Sequence, residues 1–252
     1  MRCSLKINNN LYHYDSSSFI DLSIHLNFDG TQPNYFGVEK ATAVPYKSGN
    51  LIGATKQGGG CNFDVLTLIP HCNGTHTECV GHIVNDNISV HSIITDVLIP
   101  VTLITVQPRD GIIHEGQIAV ESGFNAGLIL RSLPNNESKC SRAYDSEHLP
   151  PYFSEEAMNK INVLSVNHLL VDMPTIDPAY DEGRLVNHHI FWGVDQDKHD
   201  LDGNPPSSKT ITEMIYVPND VPDDRYLLQI QVANFVNDAA PSRPVIFPIE
   251  MQ

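Results

Sequence analysis

Short apolar runs rich in β-branched residues recur along the chain, and they constrain its fold more than any other feature. They lie at residues 19–22, 65–69, 97–106, 127–130, 168–172 and 226–232. Two segments between these predicted strands, 115–126 and 154–161, are predicted to be helices, and the second begins with Ser154 as an N-cap. Strands that alternate with helices in the middle third of a chain favour an α/β fold over a β-sandwich.

The chain is predicted to fold as a single domain over residues 1–252. This length suits one large α/β domain, and the sequence contains neither internal repeats nor a low-complexity tract. Turn-forming residues dominate segment 195–209, which we expect to be a surface loop or lid.

The charge balance predicts what the protein does not bind. Thirty acidic residues against 15 lysines and arginines give a formal net charge of −15, which disfavours nucleic acid and anionic lipid as partners. No apolar stretch approaches the roughly 18 residues of a membrane span, and the polar N-terminal segment predicts a cytoplasmic protein. The five cysteines are an odd set that argues against a disulfide framework.

Residues 70–82 concentrate the chemistry of the sequence, with three histidines, two cysteines and one glutamate among 13 residues. Imidazole, thiolate and carboxylate are ligands for zinc and neighbouring transition metals. His76 and Glu78, two residues apart, would project to one side of a strand. Cys72 precedes His76 across Gly74, and His82 follows Glu78 by four residues. Paired C-x-x-C units are absent, which favours an open catalytic metal site over a closed structural one.

The segment Gly74-Thr75-His76-x-Glu78-x-x-x-His82 resembles the motif H-x-G-T-H-x-D-x-P-x-H of the cyclase family, which includes bacterial kynurenine formamidase and isatin hydrolase. Further segments similar to this family lie at 19–23, 128–132, 171–177, 211–215 and 241–245. The resemblance implies a swivelling β/β/α fold, a homodimer and a metal centre that hydrolyses an amide or lactam in a small molecule. The implied metal is zinc, as one or two ions, with manganese as the alternative.

Position by position, the resemblance implies five metal ligands and one catalytic residue. The ligands are Cys72, His76, Glu78, His188 and Glu213. His82 matches the general acid/base, and His189 is the neighbour that could be confused with His188. Cys72 stands where the motif has histidine, and a thiolate there would favour zinc over manganese.

The predicted function is a metal-dependent hydrolase of a carbon–nitrogen bond in a formamide, amide or lactam. It resembles the arylformamidase of tryptophan catabolism, which converts N-formylkynurenine to kynurenine and formate. Two alternatives stay open. Cys72 or Cys79 could attack the substrate with His76 or His82 as base, or the chain could be a non-catalytic metal- or small-molecule-binding protein of the same fold.

Overall fold

Strands dominate the secondary structure in the computed structural model, which describes all residues 1–252. In chain order the strands are β1 (Arg2–Ile7), β2 (Asn10–Asp15), β3 (Ile20–Asp21), β4 (Asn34–Tyr35), β5 (Thr42–Pro45), β6 (Lys47–Ser48), β7 (Leu51–Ile52), β8 (Asp64–Thr67), β9 (His76–Cys79), β10 (Ile99–Val106), β11 (Ile112–Ile113), β12 (Gly127–Ser132), β13 (Ala143–Tyr144), β14 (Tyr152–Phe153), β15 (His168–Val171), β16 (Thr210–Glu213), β17 (Arg225–Val232), β18 (Ala239–Pro248) and β19 (Glu250–Met251). The α-helices are α1 (Pro70–Asn73), α2 (Val90–Ile93), α3 (Glu155–Val163) and α4 (Val186–Trp192). None of the helices is long and apolar enough to cross a membrane.

Seven of the strands form a closed sheet. They follow one another in the order β17, β10, β12, β15, β16, β9 and β18, and pairing between β18 and β17 closes the ring. The ten-residue strand β18 makes this closure because its first residues pair with β9 and its remainder with β17. The strands from β10 to β16 are parallel to their neighbours within that run, and α3 and α4 lie in two of the three connections between them. The structure therefore confirms the predicted α/β class.

Side chains alternate between two hydrophobic cores on either side of this sheet. In β12, Leu128 and Leu130 pack with residues of α3 and α4, whereas Ile129 packs on the opposite side, with residues of β10 and β17. This alternation follows from the two-residue period of a strand. Strands buried on both faces read as continuous apolar runs, which is why 127–130 and 168–172 were recognisable in the sequence.

One predicted helix forms and the other does not. Ser154 caps α3, its hydroxyl accepting a hydrogen bond from the Ala157 backbone N–H at 3.2 Å. The helix predicted over 115–126 is wrong, since only a 3₁₀ turn forms, at Glu115–Gln117. Beyond it, the backbone N–H of Glu121 bonds to Thr102 of β10, and Gly123 adopts a left-handed conformation with φ of 82°. Tertiary contacts thus replace the helical hydrogen bonds there.

The segment predicted as a surface loop or lid, 195–209, contains neither helix nor strand and leads directly into β16. Several hydrogen bonds tie it to the body of the protein. The Trp192 indole donates to the Lys209 carbonyl at 3.1 Å, and the Asn85 N–H donates to the His199 carbonyl at 2.8 Å. The second bond joins the loop to the chain just beyond His82.

Candidate metal centre and active site

Strand β9 lies at the centre of the site because it is paired on both edges. His76 and Glu78 occupy the same face of β9, as their spacing predicted. On one edge, β16 places Glu213 directly opposite His76. On the other edge, β18 places Ala239 opposite Glu78, which brings the preceding residue, Asp238, beside the site.

The inner group consists of His76, Glu78, His188 and Glu213, all of them buried. His188 Nε2 lies 3.0 Å from Glu78 Oε1 and 3.9 Å from Glu213 Oε1, and His76 Nε2 lies 3.5 Å from Glu213 Oε2. The structure thus brings four of the five predicted ligands together. It also separates His188 from His189, whose ring is hydrogen-bonded to the Val194 carbonyl instead.

Hydrogen bonds orient both histidines of the inner group. His76 Nδ1 donates to the Gly74 carbonyl at 3.0 Å, so its Nε2 lone pair faces the site. His188 Nδ1 donates to the carboxylate of Asp177, which also accepts from the Asn187 N–H at 2.7 Å at the start of α4. A histidine that donates its second ring nitrogen to a carboxylate or carbonyl is the usual arrangement of a metal ligand.

The outer group consists of His71, His82 and Asp238, whose side chains are 25%, 26% and 23% exposed. Helix α1 carries His71, and a 3₁₀ turn after β9 carries His82. Asp238 Oδ2 lies 3.0 Å from His71 Nε2 and 3.4 Å from His82 Nδ1. Glu78 connects the two groups, since its Oε2 lies 3.4 Å from His71 Nε2 while its Oε1 faces His188.

Cys72 is the predicted ligand that the structure does not bring into the site. Its side chain packs with Tyr35 and Tyr144, and it is absent from every cluster of converging ligand atoms. Successive residues of a helix point about 100° apart, so α1 can direct only one of His71 and Cys72 into the centre, and it directs His71. Without the thiolate, the preference for zinc over manganese that it implied no longer applies.

Neither cysteine near the site has the properties of a nucleophile. Burial, with the nearby charge of Glu213, raises the pKa of Cys72 to about 11, and burial raises the pKa of Cys79 to about 12. Reactive cysteines require the thiolate, which a low pKa supplies. The structure therefore argues against the cysteine mechanism left open by the sequence.

The ionisable residues of the inner group shift one another's pKa values. Burial by itself would raise the pKa of Glu78, but the neighbouring histidines, His82 and His188 foremost, outweigh it and hold that pKa low. Burial and the adjacent Glu78 charge raise the pKa of Glu213 well above its usual value. Burial lowers the pKa of His76 to about 4, so its imidazole is neutral and its lone pair is available.

Several buried atoms of the site have no hydrogen-bond partner, among them His71 Nε2, His76 Nε2 and Glu213 Oε1. Buried polar atoms are normally paired, because an unpaired one costs about 1–3 kcal/mol. Unpaired imidazole nitrogens and carboxylate oxygens that converge are the donors of a divalent metal site. The residues present therefore fit the metal centre that the sequence predicted.

Three residues of the site carried no predicted role. His71 lies inside the cluster at 70–82 but one position before the matched motif. Asp177 ends the segment 171–177 that contributed to the resemblance. Asp238 has no motif around it and is detectable only through the pairing of β18 with β9.

This fold and this arrangement of histidines and carboxylates define a family. The family model described as "Putative cyclase" matches residues 20–178, and the chain belongs to that family. The chain is 25% identical over 239 residues to a protein of Bacillus anthracis named kynurenine formamidase, covering 93% of this chain and 99% of the relative.

Solved structures show the same fold. Isatin hydrolase A from Ralstonia solanacearum superposes with a TM-score of 0.64 at 12% identity, covering 91% of each chain. A predicted metal-dependent hydrolase from Bacillus stearothermophilus superposes with a TM-score of 0.61 at 16% identity, covering 91% of this chain and 98% of that one.

Proposed function

We propose that the protein is a metal-dependent hydrolase that cleaves the carbon–nitrogen bond of a formamide, amide or lactam. The observation that carries the proposal is the convergence of unpartnered histidine nitrogens and carboxylate oxygens at one buried centre. The relatives named kynurenine formamidase favour an aryl formamide, N-formylkynurenine above all, as the substrate.

The proposed ligands are His71, His76, Glu78, His188 and Glu213. His71 takes the role that the family resemblance implied for Cys72, so all donors are nitrogen or oxygen, a set that suits zinc or manganese. The two oxygens of Glu78 face different partners, so Glu78 would help to hold two ions, one with His71 and one with His188. A divalent ion of this kind activates water as a nucleophile at neutral pH and polarises the carbonyl under attack.

His82 is the proposed general acid/base. Its ring is partly exposed at the edge of the centre, stacks on His71 at 4.4 Å between centroids, and has Nδ1 3.9 Å from Glu78 Oε2. From there it can take a proton from the attacking water and return it to the leaving nitrogen. The Trp192 ring lies near both histidines, with its centroid 5.3 Å from that of His188 and 6.5 Å from that of His82.

The test is turnover by protein reconstituted with zinc or manganese. Release of formate from N-formylkynurenine and ring opening of isatin are measured side by side, so that a formamide is distinguished from a lactam. His82→Ala should lower kcat by about 10²–10⁴-fold, the range for loss of a general acid/base, while metal content stays at the wild-type value. An unchanged kcat in this variant would disprove the role of His82.

A non-catalytic binding protein of the same fold predicts a different result. Fully metallated protein would then turn over neither substrate, and yet would bind a small amide with an affinity that His82→Ala alters.

We also propose that the protein is a homodimer. Strands β5 and β8 form a two-stranded ribbon with exposed apolar side chains, Val44, Val65 and Leu66 being more than half exposed. An isolated ribbon of this kind is marginally stable, and exposed apolar patches mark interfaces.

Light scattering should give twice the chain mass for wild type and for Val97→Asp, a control at an exposed valine outside the ribbon. The mass should fall to that of one chain for Leu66→Asp. Monomeric wild type would refute the dimer.

A further inference from the structure

Asp238 is a site residue that no motif of the sequence indicates, and it lies where the outer group meets Glu78. Its Oδ2 is 3.0 Å from His71 Nε2, and Glu78 Oε2 is 3.4 Å from the same nitrogen. A single imidazole nitrogen is thus approached by oxygens of two carboxylates, one within β9 and one just before β18.

The approach of His71 to Asp238 does not have the geometry of a hydrogen bond. His71 Nε2 has no hydrogen-bond partner although the carboxylate oxygen is only 3.0 Å away, so the oxygen lies off the direction of the ring N–H. An ordinary histidine–carboxylate pair would align these atoms. Two metal-ligand atoms that lie close together without the alignment of a hydrogen bond are expected when both point toward a common cation.

The two aspartates that contact site histidines are used differently. Asp177 is fully engaged, because it accepts hydrogen bonds from the His188 ring and from the backbone at the start of α4. The side chain of Asp238 has no hydrogen bond to the backbone and faces only His71 and His82. Asp177 therefore orients the proposed ligand His188, whereas the oxygens of Asp238 are free to bind a metal ion.

The backbone holds Asp238 firmly in this position. Its carbonyl accepts a hydrogen bond from the Cys79 N–H at 3.1 Å, and the next residue, Ala239, pairs with Glu78 in the sheet. A carboxylate on a rigid strand end loses little conformational freedom when it binds a metal ion.

We infer that Asp238 is a metal ligand, which forms with His71 and Glu78 an outer metal position beside the buried inner group. This inference rests on the proposed function and extends it by one protein ligand. Asp238 adds a hard, charged oxygen donor to His71 and Glu78, so the outer position accepts manganese as well as zinc.

The experiment measures zinc stoichiometry and affinity on the purified full-length chain, by mass spectrometric metal analysis and by competition with a chromophoric chelator. Three variants are compared with wild type. Asp238→Asn removes the charge and one oxygen donor, Asp238→Glu keeps a carboxylate, and Asp96→Asn is the matched control. Asp96 also faces a histidine, His168, with its Oδ2 3.3 Å from Nε2, but it lies outside the metal clusters.

Wild type and Asp96→Asn should bind two zinc ions per chain. Asp238→Asn should weaken the second ion by more than the roughly 10–100-fold that loss of an outer-shell partner costs, and Asp238→Glu should recover part of that affinity. Circular dichroism of each variant checks that it is folded.

Zinc binding by Asp238→Asn with wild-type stoichiometry and affinity would overturn this inference and leave the proposed function intact. A wild-type chain that binds no zinc and no manganese would overturn both. Because these readouts are independent of turnover, an inactive wild type that binds two ions, with the second ion weakened in Asp238→Asn, would contradict the proposed hydrolase and still support the ligand role of Asp238.

Discussion

The protein contains two clusters of buried charge, and they differ in how well the fold satisfies them. In the first, the ammonium of Lys139 donates to Asp172 at 2.7 Å, to the Ser132 carbonyl at 2.6 Å and to Asn135 Oδ1 at 3.3 Å. Asp172 accepts further bonds from the backbone and hydroxyl of Ser132. In the second, the candidate metal centre, three ligand-type atoms have no partner.

The difference separates a structural from a functional use of buried charge. Removing charges from water costs several kcal/mol per ion, and the fold offsets this cost at Lys139 with its own donors and acceptors. At the candidate metal centre the fold leaves the cost partly uncompensated, as expected of a site that binds a cation. The segment 171–177 serves both clusters, since Asp172 belongs to the first and Asp177 orients His188 in the second.

The largest effect that would test this comparison comes from Glu78→Gln. Glu78 is the one carboxylate that faces both groups, so its loss should weaken binding of both ions by more than about 100-fold and remove turnover. Zinc should raise the Tm of wild type through preferential binding to the folded state, and it should not raise the Tm of the variant. An equal rise of Tm in both proteins would show that the unpartnered atoms are not the metal site.

The matching substitution in the structural cluster is Lys139→Met. It leaves Asp172 buried without its cation and should lower the free energy of unfolding by about 3–5 kcal/mol. Metal content per folded chain should not change. Urea unfolding measures the effect. Lys198→Met is the control, because this exposed lysine pairs with Asp195 and Asp202 in a surface loop and its loss should leave the free energy of unfolding nearly unchanged.

Within the site, the adjacent residues His71 and Cys72 of α1 are expected to differ in the same way, one binding metal and the other packing against the core. His71→Ala should release the outer ion, while Cys72→Ala should retain both ions and lose only about 1–2 kcal/mol of stability from packing against Tyr35 and Tyr144. Metal analysis of the two variants decides the point. Loss of metal in Cys72→Ala with retention in His71→Ala would restore the cysteine ligand that the sequence implied.

The smallest expected effect is proton release on metal binding. Hydrogen bonds and charges of Asp177 and Glu78 overcome burial and raise the pKa of His188, and burial raises the pKa of Glu213. Both groups therefore tend to hold a proton in the metal-free protein and must lose it to bind, so affinity should increase with pH. Calorimetry in two buffers of different ionisation enthalpy measures the protons released, and a value of zero at neutral pH would contradict this assignment.

Local patterns were sufficient for several parts of the fold and the site. The predicted strands form, although 19–22 shortens to β3, and Ser154 caps a helix as its position indicated. His76 and Glu78 share a face because a strand has a period of two residues. The helix predicted over 115–126 failed because bonds to Thr102 of β10 are tertiary contacts that no local pattern contains.

The sequence by itself determined the family, the α/β class and the cluster of ligand-type residues at 70–82, since each of these depends on residue type and short spacing. Only the tertiary structure decided that His71 rather than Cys72 enters the site, because the choice depends on how α1 is rotated against β9. The position of Asp238 depends on the closure of the sheet. In the closed sheet β18 pairs with β9, and this pairing places Asp238 Oδ2 3.0 Å from His71 Nε2 although the two residues are distant in sequence. Contacts of this kind are set by strand order and register, which no short segment of the sequence specifies.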